Sequence, residues 1–169
     1  MYEYDDDEST INWGKSLQNL PVFTLREIEK HRLKSGKTPT SAITKTKERG
    51  QKFKNERYIS ADTIFSIMDK EYFCFKATCI PSMKKGKRNM FVALDKCSGT
   101  VVHADCSCPA GKCGYCNHVM GLLFEIADYS LHNLKEIPTE VACTSRMRQW
   151  GIPGKSKSQA PVRSTTIQK

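Results

Sequence analysis

Residues 101–118 read VVHADCSCPAGKCGYCNH, and the fold turns on how they are read. Cys106-Ser107-Cys108 and Cys116-Asn117-His118 put three thiols and one imidazole within thirteen positions. That donor set is a complete shell for tetrahedral zinc, which takes thiolate sulfur and imidazole nitrogen and closes at four protein ligands when its role is structural. In C-x-C an extended dipeptide aims both thiols at one ion. Pro109-Ala110-Gly111-Lys112 then reverses the chain, and Cys116 and His118 close the shell as a helix opens. An unfolded chain has no preformed site, so metal affinity becomes folding free energy, on the order of ten kcal/mol for finger-like sites.

Upstream of this stretch the pattern is that of strands. Residues 72–80 are rich in aromatic and β-favouring side chains, and Met90-Phe91-Val92-Ala93-Leu94 and Thr100-Val101-Val102-His103-Ala104 repeat the signal. Pro81 to Asn89 reads as an exposed hairpin loop and Asp95 to Gly99 as a turn. Downstream, Val119, Leu122, Leu123 and Ile126 follow helical spacing, and Met120, Phe124 and Ala127 widen the apolar face, which calls for packing against the sheet. The reading is an α+β fold: a small zinc-stabilised three-stranded antiparallel sheet followed by a helix, with flanking short helices and disordered tails.

Further out, Thr24-Leu25-Arg26-Glu27 has the form of a capping box, so a short helix with Leu25, Ile28 and Leu33 as its apolar residues runs to Ser35-Gly36. Residues 38–54 are polar and basic and read as a linker or fraying helix, and Ile64, Phe65 and Ile67 suggest a second helical element over 60–69. The segments are an acidic disordered leader (1–19), a basic helical segment (20–70), a zinc module (71–131), an extension (132–153) and a disordered basic tail (154–169). Trp13 is an aromatic of the leader able to dock.

Composition narrows the function. The 169 residues carry 38% hydrophobic side chains and a mean hydropathy of −0.53, polar for a compact globule. No signal-like start and no apolar run of membrane length is present, so the chain is expected inside the cell. Four of its eight cysteines fall within eleven residues, which suits metal binding in a reducing compartment better than disulfides. Cys74, Cys79 and Cys97 read as small strand or turn residues, and Cys143 and Trp150 as packing residues of a C-terminal lobe. The net charge of +9 is uneven. Residues 1–8 are acidic, whereas Arg26 to Arg57 holds eleven Lys or Arg against four Glu, a local +7. Lys84, Lys85, Lys87 and Arg88 form a second basic cluster. That pattern suits a polyanion such as DNA, although a solvated surface accounts for charge runs equally well.

The phrases CSCPAGKCGYCNHVMGLLFEIADYS (106–130) and ACTSRMRQWGIP (142–153) resemble the SWIM-type zinc fingers that precede YqaJ-like viral recombinase or exonuclease domains. The resemblance spans about residues 20–153 and is strongest over 72–153. It implies Cys106, Cys108, Cys116 and His118 as ligands of one structural Zn²⁺. Two competitors stand beside that set. Cys113-Gly114-Tyr115-Cys116 allows an all-thiolate site, and His103 is near enough to compete.

Enzyme readings fit poorly. The chain has no H-x-E for a zinc deaminase, Asn117 interrupts a haem-type C-x-x-C-H, and a thioredoxin-like role leaves three ligand-type residues unexplained. No E-x-K triplet occurs, so the nuclease half implied by the resemblance is expected to be missing. The expectation is a non-catalytic zinc module, with no catalytic residue and no small-molecule or membrane partner. It contacts DNA through Lys84, Lys85, Lys87 and Arg88, or contacts a DNA-processing protein. The alternatives are a protein-interaction adaptor and a detached leader of an exonuclease. Lys84-Lys85-Gly86-Lys87-Arg88 fits a short nuclear import signal as well as a charged loop.

Overall fold

Antiparallel pairing of four short strands gives the chain its frame. The structure, a computed structural model, describes residues 12–36, 41–79 and 86–139. The acidic run at 1–8, Lys84, Lys85, Cys143, Trp150 and the basic tail lie outside these residues. In chain order the elements are α1 (Leu25–Lys34), α2 (Ser41–Asn55), a 3-10 turn at Ala61–Thr63, β1 (Phe65–Met68), β2 (Tyr72–Cys79), β3 (Arg88–Asp95), β4 (Val101–Cys106) and α3 (Asn117–Leu131). The strands pair in sequence order, β1-β2-β3-β4. This is the α+β architecture anticipated, with a fourth strand added to the sheet.

Alternation places the core. On β2, Phe73, Phe75, Ala77 and Cys79 are buried while Tyr72, Cys74, Lys76 and Thr78 face outward. Register carries the inner row across the sheet, with Phe73 opposite Leu94, Phe75 opposite Val92, and Ala77 opposite Met90, which in turn faces Cys106. Helix α3 lies on this inner face and is buried round most of its circumference, from Val119 through Phe124 and again at Ile126 and Ala127. One sheet face cannot cover so much, and α1 and α2 supply the rest. Helix α2 comes close because Gly50 sits against α3, where a Cβ would lie 2.6 Å from that of Met120. Gly121 reciprocates against Phe53. Among the described residues no helix is long and apolar enough to cross a membrane.

The fold corrects several expectations. Residues 60–69 are not one helix: a single 3-10 turn gives way to β1, whose Phe65 to Met68 pair with Lys76 to Phe73. A short apolar run is ambiguous in period, and pairing with β2 decided it. The described part of the supposed leader, residues 12–19, lies on the domain. Gly14 bridges Ser66, Ser16 bridges Glu136, and Leu17 is buried. The Lys15 ammonium donates to the carbonyls of Ala61, Asp62 and Ile64, using its three protons to hold the 3-10 turn. Residues 41–55, left open between linker and helix, are α2.

Helix α1 begins at the capping box read from sequence: the Thr24 hydroxyl accepts from Arg26 N–H, and the Glu27 carboxylate accepts from Thr24 N–H at 3.0 Å. Its buried face differs from the expected one. Ile28 turns inward as expected, but Leu25 and Leu33 are exposed and His31 takes the buried place beside Ile28.

Candidate metal centre

β4 ends at Cys106, and the chain bends at Ser107 and Cys108 while staying tied to β3. Ser107 N–H donates to the Asn89 carbonyl, and the Ser107 hydroxyl accepts from Asn89 N–H. Ser107 is exposed, whereas Cys106 and Cys108 on either side of it are both buried. Two tight turns follow, closed by Gly111 N–H on the Cys108 carbonyl and by Gly114 N–H on the Gly111 carbonyl. Gly114 adopts φ +71°, and a Cβ there would collide with the Ala104 carbonyl, so the chain can return to the sheet only through glycine. Cys116 is the N-cap of α3, its sulfur accepting from Val119 N–H at 3.4 Å, and His118 lies in the helix's first turn.

Local geometry therefore converges four side chains on one point. The ligand atoms of Cys106, Cys108, Cys116 and His118 all lie within 4.8 Å of one another, and Nδ1 of His118 is 3.8 Å from Sγ of Cys106. A tetrahedral ion with metal–sulfur bonds of about 2.3 Å requires ligand separations of about 3.8 Å. The three cysteines are buried and the histidine half-buried, its ring edge-on to Phe53 at 5.1 Å between centroids. This cluster could hold a metal ion.

Its electrostatics show what the donors lack. The Cys106 thiol is held well below the usual thiol range, chiefly because the Cys116 thiol donates to it, with His118 and Cys108 assisting. The cost appears on its neighbours. Cys116 is pushed up by its role as donor and by burial, and Cys108 by burial. Only one thiolate is favoured in such a space without a compensating cation, and three thiolates together need a positive ion among them. The donor set and the spacing both fit a metal.

The competing donors stand apart. Cys113 is exposed and its thiol donates to the Ala110 carbonyl at 3.2 Å. His103 faces outward and pairs with Asp105 at 3.0 Å. Cys79 is buried at the end of β2, its thiol raised to about 11 by burial and then by the charge of Cys106, but it is not one of the four. Cys74 is likewise raised to about 11 by burial, and Cys97 is exposed in the β3–β4 turn. Of the basic cluster, Lys87 is exposed and Arg88 opens β3 opposite Cys79.

One residue of the centre went unnoticed in the sequence. His31 of α1 is buried, its Nε2 lies 2.9 Å from the Gly114 carbonyl, and its ring stacks on Tyr115 at 4.5 Å. Burial lowers its pKa, which keeps the ring neutral and able to donate to that carbonyl. His31 thus braces the loop that carries Cys116 from a helix more than eighty residues away in sequence. No spacing signal could have paired them.

A concavity of about 230 Å³ lies toward the other end of α3, lined by Lys54, Arg57, Ile59, Glu125 and Tyr129 among others. Burial raises the Glu125 carboxyl to about 7, and raises Tyr129 as well. Lys54 offsets this only in part, since its ammonium is paired with Asp128, whose own charge raises Glu125 further. In comparison with known proteins, the chain matches no family, no curated protein and no solved structure.

Proposed function

We propose that this chain is a SWIM-type zinc module, non-catalytic, in which one structural ion shapes a surface that contacts nucleic acid. The observation that carries the reading is the convergence of Cys106, Cys108, Cys116 and His118 within 4.8 Å at a strand end and a helix start. Three soft sulfurs and one imidazole nitrogen in tetrahedral spacing favour zinc over harder cations. When bound, zinc would supply charge neutralisation for the thiolates and a tie between sheet and helix. With four protein ligands it has no open position for a reacting water, which supports a structural role. The +9 charge, with Lys87 and Arg88 beside the metal end of the sheet, supports a polyanionic partner and a nuclear setting.

Native mass spectrometry of the purified chain tests the first half. One zinc per chain is expected, lost in Cys106→Ser and His118→Ala and kept in Cys113→Ser. Retention in His118→Ala with loss in Cys113→Ser would move the site to four thiolates. DNA binding measured across salt tests the second half. A steep fall in affinity with salt, lessened by neutralising Lys84, Lys85, Lys87 and Arg88, is expected. Absence of binding at low salt would favour a protein adaptor, and Mg²⁺-dependent nuclease activity would overturn the non-catalytic reading.

A further inference from the structure

The sheet has two unlike faces. The inner one is covered by α3, whereas among the described residues no helix covers the outer one. Register places Phe65, Lys76, Phe91 and Asp105 side by side across all four strands on that outer face. His103 stands on the same face of β4, opposite Ala93 and beside Phe91, with ring centroids 5.9 Å apart. Trp13 lies over these strands, edge-on to Phe91 at 6.4 Å, with the Lys76 ammonium 4.7 Å from its ring centre. That ammonium is also 5.8 Å from the Phe65 ring.

A face of this kind is unusual in its chemistry. An outward sheet surface needs only polar residues to stay soluble, yet here half-exposed rings form a band with a cation among them. The rings are aromatic rather than aliphatic, with Lys15 4.1 Å over the Phe65 ring and Lys76 over one face of Trp13. His103 and Asp105 at the β4 side add a polar donor and acceptor pair that is still exposed. Lys87 and Arg88 lie at the end of the same sheet where β3 begins. Flat rings, a central ammonium and flanking positive charge match unstacked bases on a phosphodiester chain. Bases in a duplex are already stacked on one another and cannot reach such rings, so the match is to a single strand.

We infer that the outer face of the sheet is a stacking platform for single-stranded nucleic acid, with Trp13, Phe91 and His103 receiving bases and Lys76 meeting the backbone. This rests on the nucleic-acid reading above and names its surface and its strandedness. The metal centre serves the platform indirectly: it fixes the end of β4, and so the position of His103 and Asp105.

The test uses the zinc-loaded full chain and fluorescence anisotropy with labelled dT15, U15 and a 15-base-pair duplex at low and moderate salt. Single strands should bind more tightly than duplex, with dT15 and U15 separating DNA from RNA preference. Phe91→Ala and His103→Ala should each weaken single-strand binding about 10-fold, within the range for a lost stacking contact. Phe91→Tyr should preserve it. Unchanged zinc stoichiometry and circular dichroism confirm that each variant is folded, and His103→Ala, at an exposed position, keeps the test open if Phe91→Ala is not. Duplex binding equal to or tighter than single-strand binding, indifferent to Phe91 and His103, would overturn the platform while leaving nucleic-acid contact standing. Binding to none of the three probes would overturn both.

Discussion

The sheet and α3 are closed at their two ends by different means. At one end Phe23, Leu94, Val101 and Ile126 are buried, Phe23 N–H donates to the Ser130 hydroxyl, and Gly99 of the β3–β4 turn lies against the Val22 carbonyl. At the other end the chain between Cys108 and Cys116 is made of small and polar residues apart from Tyr115, whose ring stacks on His31. Four donor side chains converge there instead. One end is held by area removed from water, and the other gathers four donors that could hold a metal ion. The lesson is that a small domain can exchange hydrophobic closure for coordination where its loop must stay short and polar.

Removing the ion should show the contrast most strongly. Cys116→Ser, or chelation of the wild-type chain, should cost on the order of ten kcal/mol and unfold residues 101–118 first, read by hydrogen exchange. Phe23→Ala attacks the opposite end and should cost about 3–5 kcal/mol in urea unfolding of the zinc-loaded protein, with zinc stoichiometry unchanged. If that variant also released zinc, the two ends would not be independent. His31→Ala tests the brace between α1 and the metal loop. Losing its hydrogen bond to the Gly114 carbonyl should cost about 1–3 kcal/mol, and zinc should then be lost to a competing chelator more readily.

Glu125 gives a pH-dependent difference away from the metal. Its folded pKa of about 7 lies above the unfolded value, so the native state binds a proton that the unfolded state releases. The resulting penalty grows as pH rises from about 4 to about 7 and is complete above that. Glu125→Gln should therefore stabilise the protein by on the order of 1–2 kcal/mol at pH 8, and the gain should shrink toward pH 5, as followed by thermal unfolding. Cys113→Ser should change least, within about 0.5 kcal/mol and with zinc retained, because its thiol is exposed and outside the cluster.

Legibility followed the range of the interaction. The capping box at Thr24 and Glu27, the aromatic and β-favouring run from Tyr72 to Cys79, and the apolar period of α3 are local patterns, and each appears as read. The short segment from Ile64 to Met68 was misread because four or five apolar residues fit either period until a partner strand is known. Residues 12–19 gave no signal beyond Trp13, because a single buried leucine, two backbone bridges and the Lys15 ammonium on remote carbonyls hold them. Gly50 and Gly121 are only breakers in a sequence, yet here they let two helices touch.

The sequence by itself determined the kind of donor, thiol and imidazole, since that chemistry is written in residue type, and it confined the candidates to residues 103–118. It also determined the α+β class, through periods that a few consecutive residues display. Only the tertiary structure decided that Cys113 and His103 turn away, that His31 braces the loop, and that Trp13 joins Phe91 and Lys76 on one face. These are relations of side-chain direction and of distance between remote residues. Strand register and helix crossing set them, and no local pattern carries that information.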